Sequence, residues 1–382
     1  MAYFDNAATS WPKPEEVYKT VEDVMRNFGG NPGRSGHKMA LAAARLIYDA
    51  REVLAEFFNA ESPTNIVFTM NATDALNIAI KGVLRPGDHV ITSSMEHNSV
   101  TRPIFAMTKY GIKWDIVKCE KDGTLDPDDV VKAIKPNTRL IAITHASNVT
   151  GTVMPIEQIG KIARERDIIF LVDAAQSAGV LEIDVQKLNI DLLAFPGHKG
   201  LYGPQGTGGL YVREGLKLAP LRHGGTGSFS EELLQPEILP DLLESGTLNT
   251  PGIAGLAAGV RFVKKIGLSN IRTFEDQLTQ KFLEGLLEID GITVYGPPRA
   301  SNNRLAVVSI NMKGMDSAEL AYLLDSRYDI QVRPGLHCSP LAHETIGTKE
   351  QGTVRFSFSI FNTIEEVEGA LFALKEISKA IS

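Results

Sequence analysis

The sequence contains little cysteine: Cys119 and Cys338 are its only two thiols in 382 residues. Two thiols so far apart do not make a disulfide framework, so we expect a reducing, cytoplasmic setting. The chain also lacks a hydrophobic run of the roughly 18 residues that cross a membrane. Its start, MAYFDNAATSWPKPEE, has no basic region followed by an apolar core, so we expect no signal peptide.

Basic stretches are missing as well, and the formal net charge is −7. Neither feature favours nucleic acid or an anionic membrane surface as a partner. What is present is the composition of an ordinary globular protein, with 43% apolar and 22% charged residues. At about 150 residues per domain the length indicates two or more domains, and this size and class are typical of an enzyme.

Short apolar runs alternate with helical patterns through much of the chain. The runs are apolar throughout rather than at every second residue, which favours a mostly parallel sheet covered on both faces. The predicted strands are 65–69, 89–94, 112–117, 139–147, 168–174 and 192–196. The predicted helices are 38–58, 73–84, 97–109, 126–135 and 155–166. This alternation predicts an α/β fold with right-handed crossovers.

The pattern changes in the C-terminal third of the chain. Two long helical patterns, at 251–266 and 269–290, are followed by shorter strands and helices, which indicates a smaller α+β unit. We therefore predict a large domain over residues 15–250 and a small C-terminal domain over residues 251–382, which carries the later cysteine. Residues 1–14 are expected to form an N-terminal segment that packs on the small domain.

A lysine in a glycine-rich turn, Lys199 in AFPGHKGLYGPQG, follows the last predicted strand of the sheet. A lysine on such a loop is most often a plain surface residue. Asp173, however, ends the preceding strand in IIFLVDAAQSAG, and ligands of open α/β sheets collect at the carboxyl ends of strands. Both residues are therefore expected on one rim. Pyridoxal phosphate (PLP) requires such a pair, a lysine that forms a Schiff base and a carboxylate that keeps the pyridine nitrogen protonated.

PLP also needs a phosphate site and a group that stacks on its ring. The segment FTMNATDALNIAI predicts a strand, a turn and a helix start, where Ala72 and Thr73 offer a backbone N–H and a hydroxyl to a phosphate. The segment SSMEHNSV places His97 after the next strand, where an imidazole can lie over the ring. Each feature alone is common, but together four strand ends offer the four groups that one cofactor needs.

In chain order the sequence contains ATD, EHN, SNVTGT, DAAQSAG, GHKGLYGPQG and ESGTLNTPG. This series resembles the class V aminotransferase superfamily of fold-type I PLP enzymes, and is most similar to its cysteine desulfurase and selenocysteine lyase branch. The similarity runs from FDNAATS to RFSFSIFNT. It implies a large domain with a seven-stranded, mostly parallel sheet and a smaller α+β C-terminal domain. It also implies a PLP-dependent conversion of L-cysteine to L-alanine, with the sulfur passing to Cys338 as a persulfide.

The resemblance implies a role for each matching residue. Lys199, Cys338 and His97 would be catalytic, with Lys199 as the Schiff-base lysine and His97 stacked on the ring. The implied cofactor-binding residues are Ala72, Thr73, His97, Asp173, Gln176, His198, Lys199 and Thr247. The implied substrate residues are Asn148 and Arg355, which hold the carboxylate, and His37 near the substrate. Thr247 would reach the phosphate of the neighbouring subunit, which implies a homodimer.

Pro196 departs from the family's pattern, since relatives usually carry a small hydroxyl residue there that binds the phosphate. Proline has neither a hydroxyl nor an N–H, so we place Pro196 outside the cofactor site and leave the replacement open. Two implied roles keep a plain alternative. Asp173 could cap the following helix, and Arg355 could pair with a surface carboxylate.

The segment RPGLHCSP surrounds Cys338 with glycine and proline, which indicates an exposed loop. The alternatives to a nucleophile are a structural thiol and a metal site with His337 and His343, but adjacent ligands suit a tetrahedral centre poorly. His337 could help to populate the thiolate, which is the reactive form. The segment also resembles the family's cysteine loop, Arg-x-Gly-x-His-Cys, in the group where that loop is short and restrained. Cys119, after a strand, is expected to be structural.

Other functions stay open at this point. Selenocysteine lyase chemistry uses the same residues. Another class V enzyme could transaminate or β-eliminate a different amino acid, with Cys338 incidental, and a non-catalytic sulfur carrier could keep the fold without the activity. The acceptor of the sulfur, for which a partner protein is one candidate, is also open, because iron–sulfur assembly, tRNA thiolation and selenium metabolism all fit.

Overall fold

The computed structural model describes residues 1–33, 36–300 and 303–381. Across these residues the strands are β1 (Ala2–Tyr3), β2 (Ile66–Thr69), β3 (His89–Ser93), β4 (Lys113–Val117), β5 (Thr138–Thr144), β6 (Ile169–Asp173), β7 (Leu192–Pro196), β8 (Gly208–Val212), β9 (Ile292–Tyr295), β10 (Val307–Met312), β11 (Ile330–Gln331), β12 (Arg333–Gly335) and β13 (Thr353–Ser357). The α-helices are α1 (Glu15–Asn27), α2 (Lys38–Phe58), α3 (Ala72–Val83), α4 (Asn98–Met107), α5 (Pro127–Ala133), α6 (Ile156–Glu165), α7 (Thr250–Ile266), α8 (Leu268–Leu286), α9 (Ser317–Tyr328), α10 (Pro340–Thr345) and α11 (Ile364–Ile381).

The central sheet has the spatial order β2-β8-β7-β6-β5-β3-β4 in the described part of the chain. The pairings from β7 through β6, β5 and β3 to β4 are all parallel, and only β8 runs antiparallel to its neighbours β2 and β7. The predicted strands and helices are all present, with ends shifted by a few residues. The predicted α/β fold with a mostly parallel seven-stranded sheet is confirmed.

Neighbouring residues of each strand point to opposite faces of this sheet, so its continuous apolar strands present apolar side chains on both faces. Helices cover both of these faces. On β6, Phe170 packs in a core with Leu54 of α2, whereas Leu171 packs in a separate core with Leu76 of α3. Burial on both faces explains the continuous apolar runs in the sequence. Among the described residues, no helix has both the length and the apolar character that crossing a membrane requires.

Strand β8, with the sequence GGLYV, was not among the predicted strands, because its two glycines weaken the preference for β structure. The fold needs at least one of them, since a Cβ on Gly209 would overlap the ring of Phe195 on β7. Because β8 returns antiparallel beside β7, the turn that connects them stays at the rim of the sheet. This turn carries Lys199.

The C-terminal part of the chain forms an antiparallel sheet in the order β12-β13-β10-β9. Residues of α8, α9 and α11 pack on it, among them Phe282, Leu324 and Leu374. The N-terminal strand β1 pairs with β11, and Phe4 is fully buried in the same core. The predicted domain boundaries, after residues 14 and 250, stay predictions.

Candidate active site

The carboxyl ends of β5, β6 and β7 open onto a cavity that collects most of the predicted site residues. Thr144 ends β5 and pairs in register with Asp173, which ends β6. Lys199 lies just beyond the end of β7. The predicted residues that line the cavity are Ala72, Thr73, His97, Asn148, Asp173, Gln176, His198 and Lys199. The strand-end argument from the sequence therefore holds for this group of residues.

Lys199 and Asp173 both have shifted pKa values. Burial lowers the pKa of Lys199 to about 8, and the positive charge of Arg355 acts in the same direction. Burial raises the pKa of Asp173, whereas the N–H of Ala175, which donates to Asp173 Oδ1 over 2.9 Å, and the nearby Lys199 oppose this rise. The bond to Ala175 lies in a turn and caps no helix, because β7 is the next element after Asp173 in this described stretch. The plain alternative for Asp173, a cap on a following helix, is therefore not met, and the carboxylate lines the cavity.

His97 caps the N-terminus of α4 and presents a neutral ring. Its Nδ1 accepts the backbone N–H of Ser99 over 3.0 Å, so the proton of the neutral imidazole lies on Nε2. Burial lowers the pKa of His97 to about 4, and the positive charges of Lys199 and Arg333 add to the effect. An uncharged ring at neutral pH is suited to stacking on a cofactor ring.

The N-terminus of α3 offers unpaired hydrogen-bond donors to the cavity. Asn71 caps this helix by accepting the N–H of Asp74 over 2.9 Å, and the N–H groups of Ala72 and Thr73 precede the first helical hydrogen bond. Nδ1 of His198 is buried without a hydrogen-bond partner among the described residues. Free donors at a helix N-terminus and an unpaired imidazole in one cavity are suited to a phosphate.

These features together fit PLP. Lys199 supplies an amine with a lowered pKa, Asp173 supplies a carboxylate, and the start of α3 supplies a phosphate site. Gln176 also lines the cavity and donates from Nε2 to the carbonyl of Ala7 over 3.1 Å, which leaves its second N–H for a ring hydroxyl. The donor set therefore matches the charged and polar groups of this cofactor.

Pro196 lies in the cavity wall, contrary to the expectation that it stands outside the cofactor site. Its position as the last residue of β7 places it on the rim. Pro196 has no hydroxyl to offer a phosphate, but Ser99, which also lines the cavity, has one. Ser99 Oγ lies 2.7 Å from Thr73 Oγ1 and 2.9 Å from His97 Nδ1. Sequence reasoning missed Ser99, although its place two residues after His97 at a predicted helix start was a usable signal.

Arg355 on β13 is buried beside the cavity and has a carboxylate partner. Its Nη2 bonds Asp5 Oδ1 over 2.7 Å, and its Nη1 donates to the carbonyl of Asn148 over 3.0 Å. The ion pair expected as the plain alternative thus exists, but with the N-terminal segment rather than with a surface group. Nε of Arg355 is buried and has no partner in the described part of the chain, so one donor remains for a ligand.

Asn148 lines the cavity, but its amide is bonded to the loop that carries Cys338. Nδ2 donates to the carbonyl of His337 over 2.8 Å, and Oδ1 accepts from Ser339 Oγ over 2.7 Å. The side chain is buried, with 8% of its surface exposed. It therefore lies between the candidate substrate site and the cysteine loop.

His37 and Thr247 are not among the residues that line the cavity. His37 is exposed and caps α2, where its Nδ1 accepts the N–H of Ala40 over 3.3 Å. Thr247 is also exposed, and its Oγ1 accepts from Asn31 Nδ2 over 3.2 Å. The roles implied for both residues stay predictions.

Cys338 is exposed at the mouth of the cavity, on the loop between β12 and α10. It lines an open cleft together with Thr73, His97 and Ser99, which also line the cavity. The guanidinium of Arg333 lies close to the thiol, with 3.5 Å between Nη2 and Sγ. The cleft that contains the thiol and the cavity that contains Lys199 therefore share part of one wall.

His337 does not turn toward the thiol, contrary to the expectation that it supports the thiolate. Its Nε2 lies 3.0 Å from Thr353 Oγ1, and burial holds its pKa well below the usual range, so the ring is neutral. His343 bonds Thr348 Oγ1 over 2.7 Å. Cys119 is half-buried against the core, and burial raises its pKa to about 11, which fits the expected structural role.

The sequence profile of the class-V aminotransferase family matches residues 2–369, so the chain belongs to this PLP-dependent family. Similar proteins are named more narrowly. A probable cysteine desulfurase of Methanothermobacter thermautotrophicus is 37% identical, over 98% of this chain and 94% of that protein. One of Pyrococcus abyssi is 38% identical, over 99% and 94%. The apo structure of the cysteine desulfurase from Thermococcus onnurineus NA1 superposes with a TM-score of 0.93 at 36% identity, covering 99% of this chain and 95% of that one.

Proposed function

We propose that this protein is a PLP-dependent cysteine desulfurase, which converts L-cysteine to L-alanine and receives the sulfur on Cys338. The observation that carries the proposal is the exposed thiol of Cys338 at the mouth of the cavity that contains Lys199 and Asp173. Membership of the class-V aminotransferase family and the names of the relatives support the same reaction. Transamination alone needs no such thiol, whereas transfer of sulfur to the enzyme does.

The cofactor is held by residues of the sheet rim. Ala72, Thr73 and His198 would hold the phosphate of PLP, and Gln176 would donate to its ring hydroxyl. Asp173 would keep a proton on the ring nitrogen. His97, whose imidazole is neutral, would stack on the ring without adding a positive charge that repels that proton.

Lys199 moves the proton of the substrate Cα. When bound, PLP supplies an electron-accepting ring that stabilises negative charge at that carbon. With a pKa of about 8, Nζ of Lys199 is neutral in a substantial fraction of molecules near pH 8 and can accept the proton. Arg355 Nε and the second N–H of Asn148 are donors for the substrate carboxylate, which orients the Cα–H bond toward Lys199.

Cys338 acts as a thiolate on the sulfur of the substrate. A bond forms between Cys338 Sγ and the substrate sulfur while the substrate Cβ–S bond breaks, and the electron pair of that bond stays with the carbon part. The carbon part takes up a proton and leaves as alanine. No external oxidant is needed, because the substrate carbon is reduced as the enzyme sulfur is oxidised to the persulfide. Arg333, close to Sγ, stabilises the anionic sulfur.

A second subunit completes the arrangement. Thr247 is exposed in one subunit and acts across a homodimer interface, where it reaches the phosphate of the other subunit. His37, which is also exposed, acts near the substrate. The persulfide on Cys338 is accessible from solvent and passes its sulfur to an acceptor, such as a partner protein.

The test measures alanine and sulfide from L-cysteine with the PLP-loaded protein and a thiol reductant that discharges the persulfide. We expect the two products in equal amounts. In Cys338→Ala the visible absorbance of bound PLP should remain, while sulfide release falls by about a hundredfold or more because the sulfur has no acceptor on the enzyme.

The matched control is Cys119→Ala, which removes the other thiol from a half-buried position away from the cavity and should keep the wild-type rate. Sulfide release by Cys338→Ala at the wild-type rate would contradict the proposal. Pyruvate in place of alanine would instead indicate β-elimination. If Cys338→Ala no longer turns over cysteine but still turns over selenocysteine, selenium leaves its substrate without help from the thiol.

A further inference from the structure

The loop around Cys338 has an unusual backbone. His337 and Cys338 are both left-handed, with φ of 49° and 61°. Residues other than glycine rarely adopt this conformation, and two in succession persist only where the surroundings impose it. The side chain of Cys338 is exposed, so most of the restraint has to come from its flanking residues.

Asn148 contacts the loop on both sides of Cys338. Its Nδ2 donates to the carbonyl of His337, the residue before the cysteine, over 2.8 Å. Its Oδ1 accepts from the hydroxyl of Ser339, the residue after the cysteine, over 2.7 Å. Asn148 and Ser339 are both buried, so water does not compete strongly for these bonds. The amide of Asn148 is thus bonded to the residues immediately before and after Cys338.

Backbone bonds complete the restraint. The carbonyl of Cys338 accepts the N–H of Asn98, the first residue of α4, over 2.9 Å, and the N–H of Ser339 donates to the carbonyl of Leu336 over 2.9 Å. The bond to Asn98 joins the loop to the helix that His97 caps. The backbone of Cys338 is therefore fixed relative to the cavity wall by bonds that do not involve its thiol.

We propose that Asn148 is a positioning residue for the nucleophile, whose amide holds the loop in the left-handed conformation and so fixes Cys338 Sγ at the cavity mouth. This inference rests on the proposed function. The amide uses one N–H on the loop and keeps the second for the substrate carboxylate. Because Asn148 contacts both groups, it sets the distance between the bound substrate and the thiol. Transfer of sulfur requires the two sulfur atoms to come close enough to form a bond.

Ser339→Ala separates the two roles of Asn148, because Ser339 lines neither the cavity nor the cleft. In the PLP-loaded enzyme we expect Ser339→Ala to lower kcat for alanine formation about tenfold, with KM within about twofold of wild type. Asn148→Ala should lower kcat and also raise KM. The double variant should have a kcat no lower than that of Asn148→Ala alone. A wild-type kcat in Ser339→Ala, or fully additive losses, would overturn the proposal.

Amide hydrogen exchange of the peptide over residues 334–341 gives a readout that is independent of turnover. Exchange should accelerate about tenfold in both Asn148→Ala and Ser339→Ala as the loop is released. The matched control is Asn65→Ala, which deletes an equally short bond from a buried asparagine, 2.8 Å from Nδ2 to the carbonyl of Val212, far along the large sheet. It should leave exchange of the loop unchanged.

Unchanged exchange in both loop variants refutes the positioning role. If the wild-type enzyme makes no alanine from cysteine, the proposed function fails, but the exchange measurement still decides whether Asn148 restrains the loop. The two failures are therefore distinguishable.

Discussion

At the scale of single residues, Lys199 combines burial with reactivity. Protein surrounds its amine, and this burial, with the positive charge of Arg355, lowers its pKa from 10.5 to about 8. For a base, a lowered pKa means that the neutral form becomes abundant at a lower pH. The neutral amine is the form that attacks the aldehyde of PLP. An exposed lysine reaches the same neutral fraction only above pH 10.

Covalent attachment of PLP to the apoprotein should therefore rise with pH up to about 8 and then level off. The measurement is the rate of adduct formation between pH 6 and 10, trapped with borohydride and located by mass spectrometry. In Lys199→Ala the adduct should fall to the level of surface lysines. A rate for the wild-type protein that still climbs at pH 10 would contradict the lowered pKa.

The sequence was sufficient to place Lys199, Asp173 and His97 at one rim, because each lies at or after the end of an apolar strand and the ends of parallel strands meet there. Asp5 could not be found in this way. It reaches Arg355 only because the N-terminus packs beside β13, hundreds of positions away in the chain.

His337 shows the opposite error. Its place next to Cys338 in the sequence suggested contact between imidazole and thiol, but two successive left-handed residues direct the ring toward Thr353. Adjacency along the chain says little about side-chain direction where the backbone leaves the usual regions of φ and ψ. The cation near the thiol, Arg333, is five residues away instead.

At the scale of elements, the N-terminal segment couples the C-terminal core to the candidate site. Phe4 packs between aromatic rings, with centroids 6.0 Å from Phe356 and 5.3 Å from Phe358. The next residue, Asp5, holds the guanidinium of Arg355. Strand β1 was not predicted, because a two-residue strand has no periodicity and depends on pairing with β11. Most of the longer strands and helices were predictable since their patterns are local, whereas β8 and α1 were not predicted.

Phe4→Ala should lower the free energy of unfolding by about 3–5 kcal/mol, because it leaves a cavity in a well-packed core. Reversible urea unfolding measures the change. The control is Phe229→Ala, whose ring is 47% exposed and whose removal should cost less than about 0.5 kcal/mol. A loss for Phe4→Ala as small as for the control would show that the N-terminal segment contributes little to this core.

At the scale of the whole molecule, the candidate site draws on distant parts of the chain. The rim of the large sheet supplies Lys199, the C-terminal sheet supplies Arg355, and the cysteine loop supplies the thiol. Thr247 is a different case, since it is exposed and, within the described part of the chain, its hydroxyl bonds the side chain of Asn31 and no residue of the cavity. A role for Thr247 in binding phosphate therefore requires a second copy of the chain.

Mixed dimers test this requirement. Thr247→Asp should prevent phosphate binding by charge repulsion while the fold tolerates it, because the side chain is exposed. Lys199→Ala removes the reactive amine from its own subunit. Each homodimer should be inactive, yet a heterodimer has one site that combines an intact Lys199 with an intact Thr247 from the other subunit. After equal mixing by reversible unfolding, half of the dimers are mixed and each has one working site, so about a quarter of the wild-type activity should return. If mixed dimers form but no activity returns, Thr247 does not act across the interface.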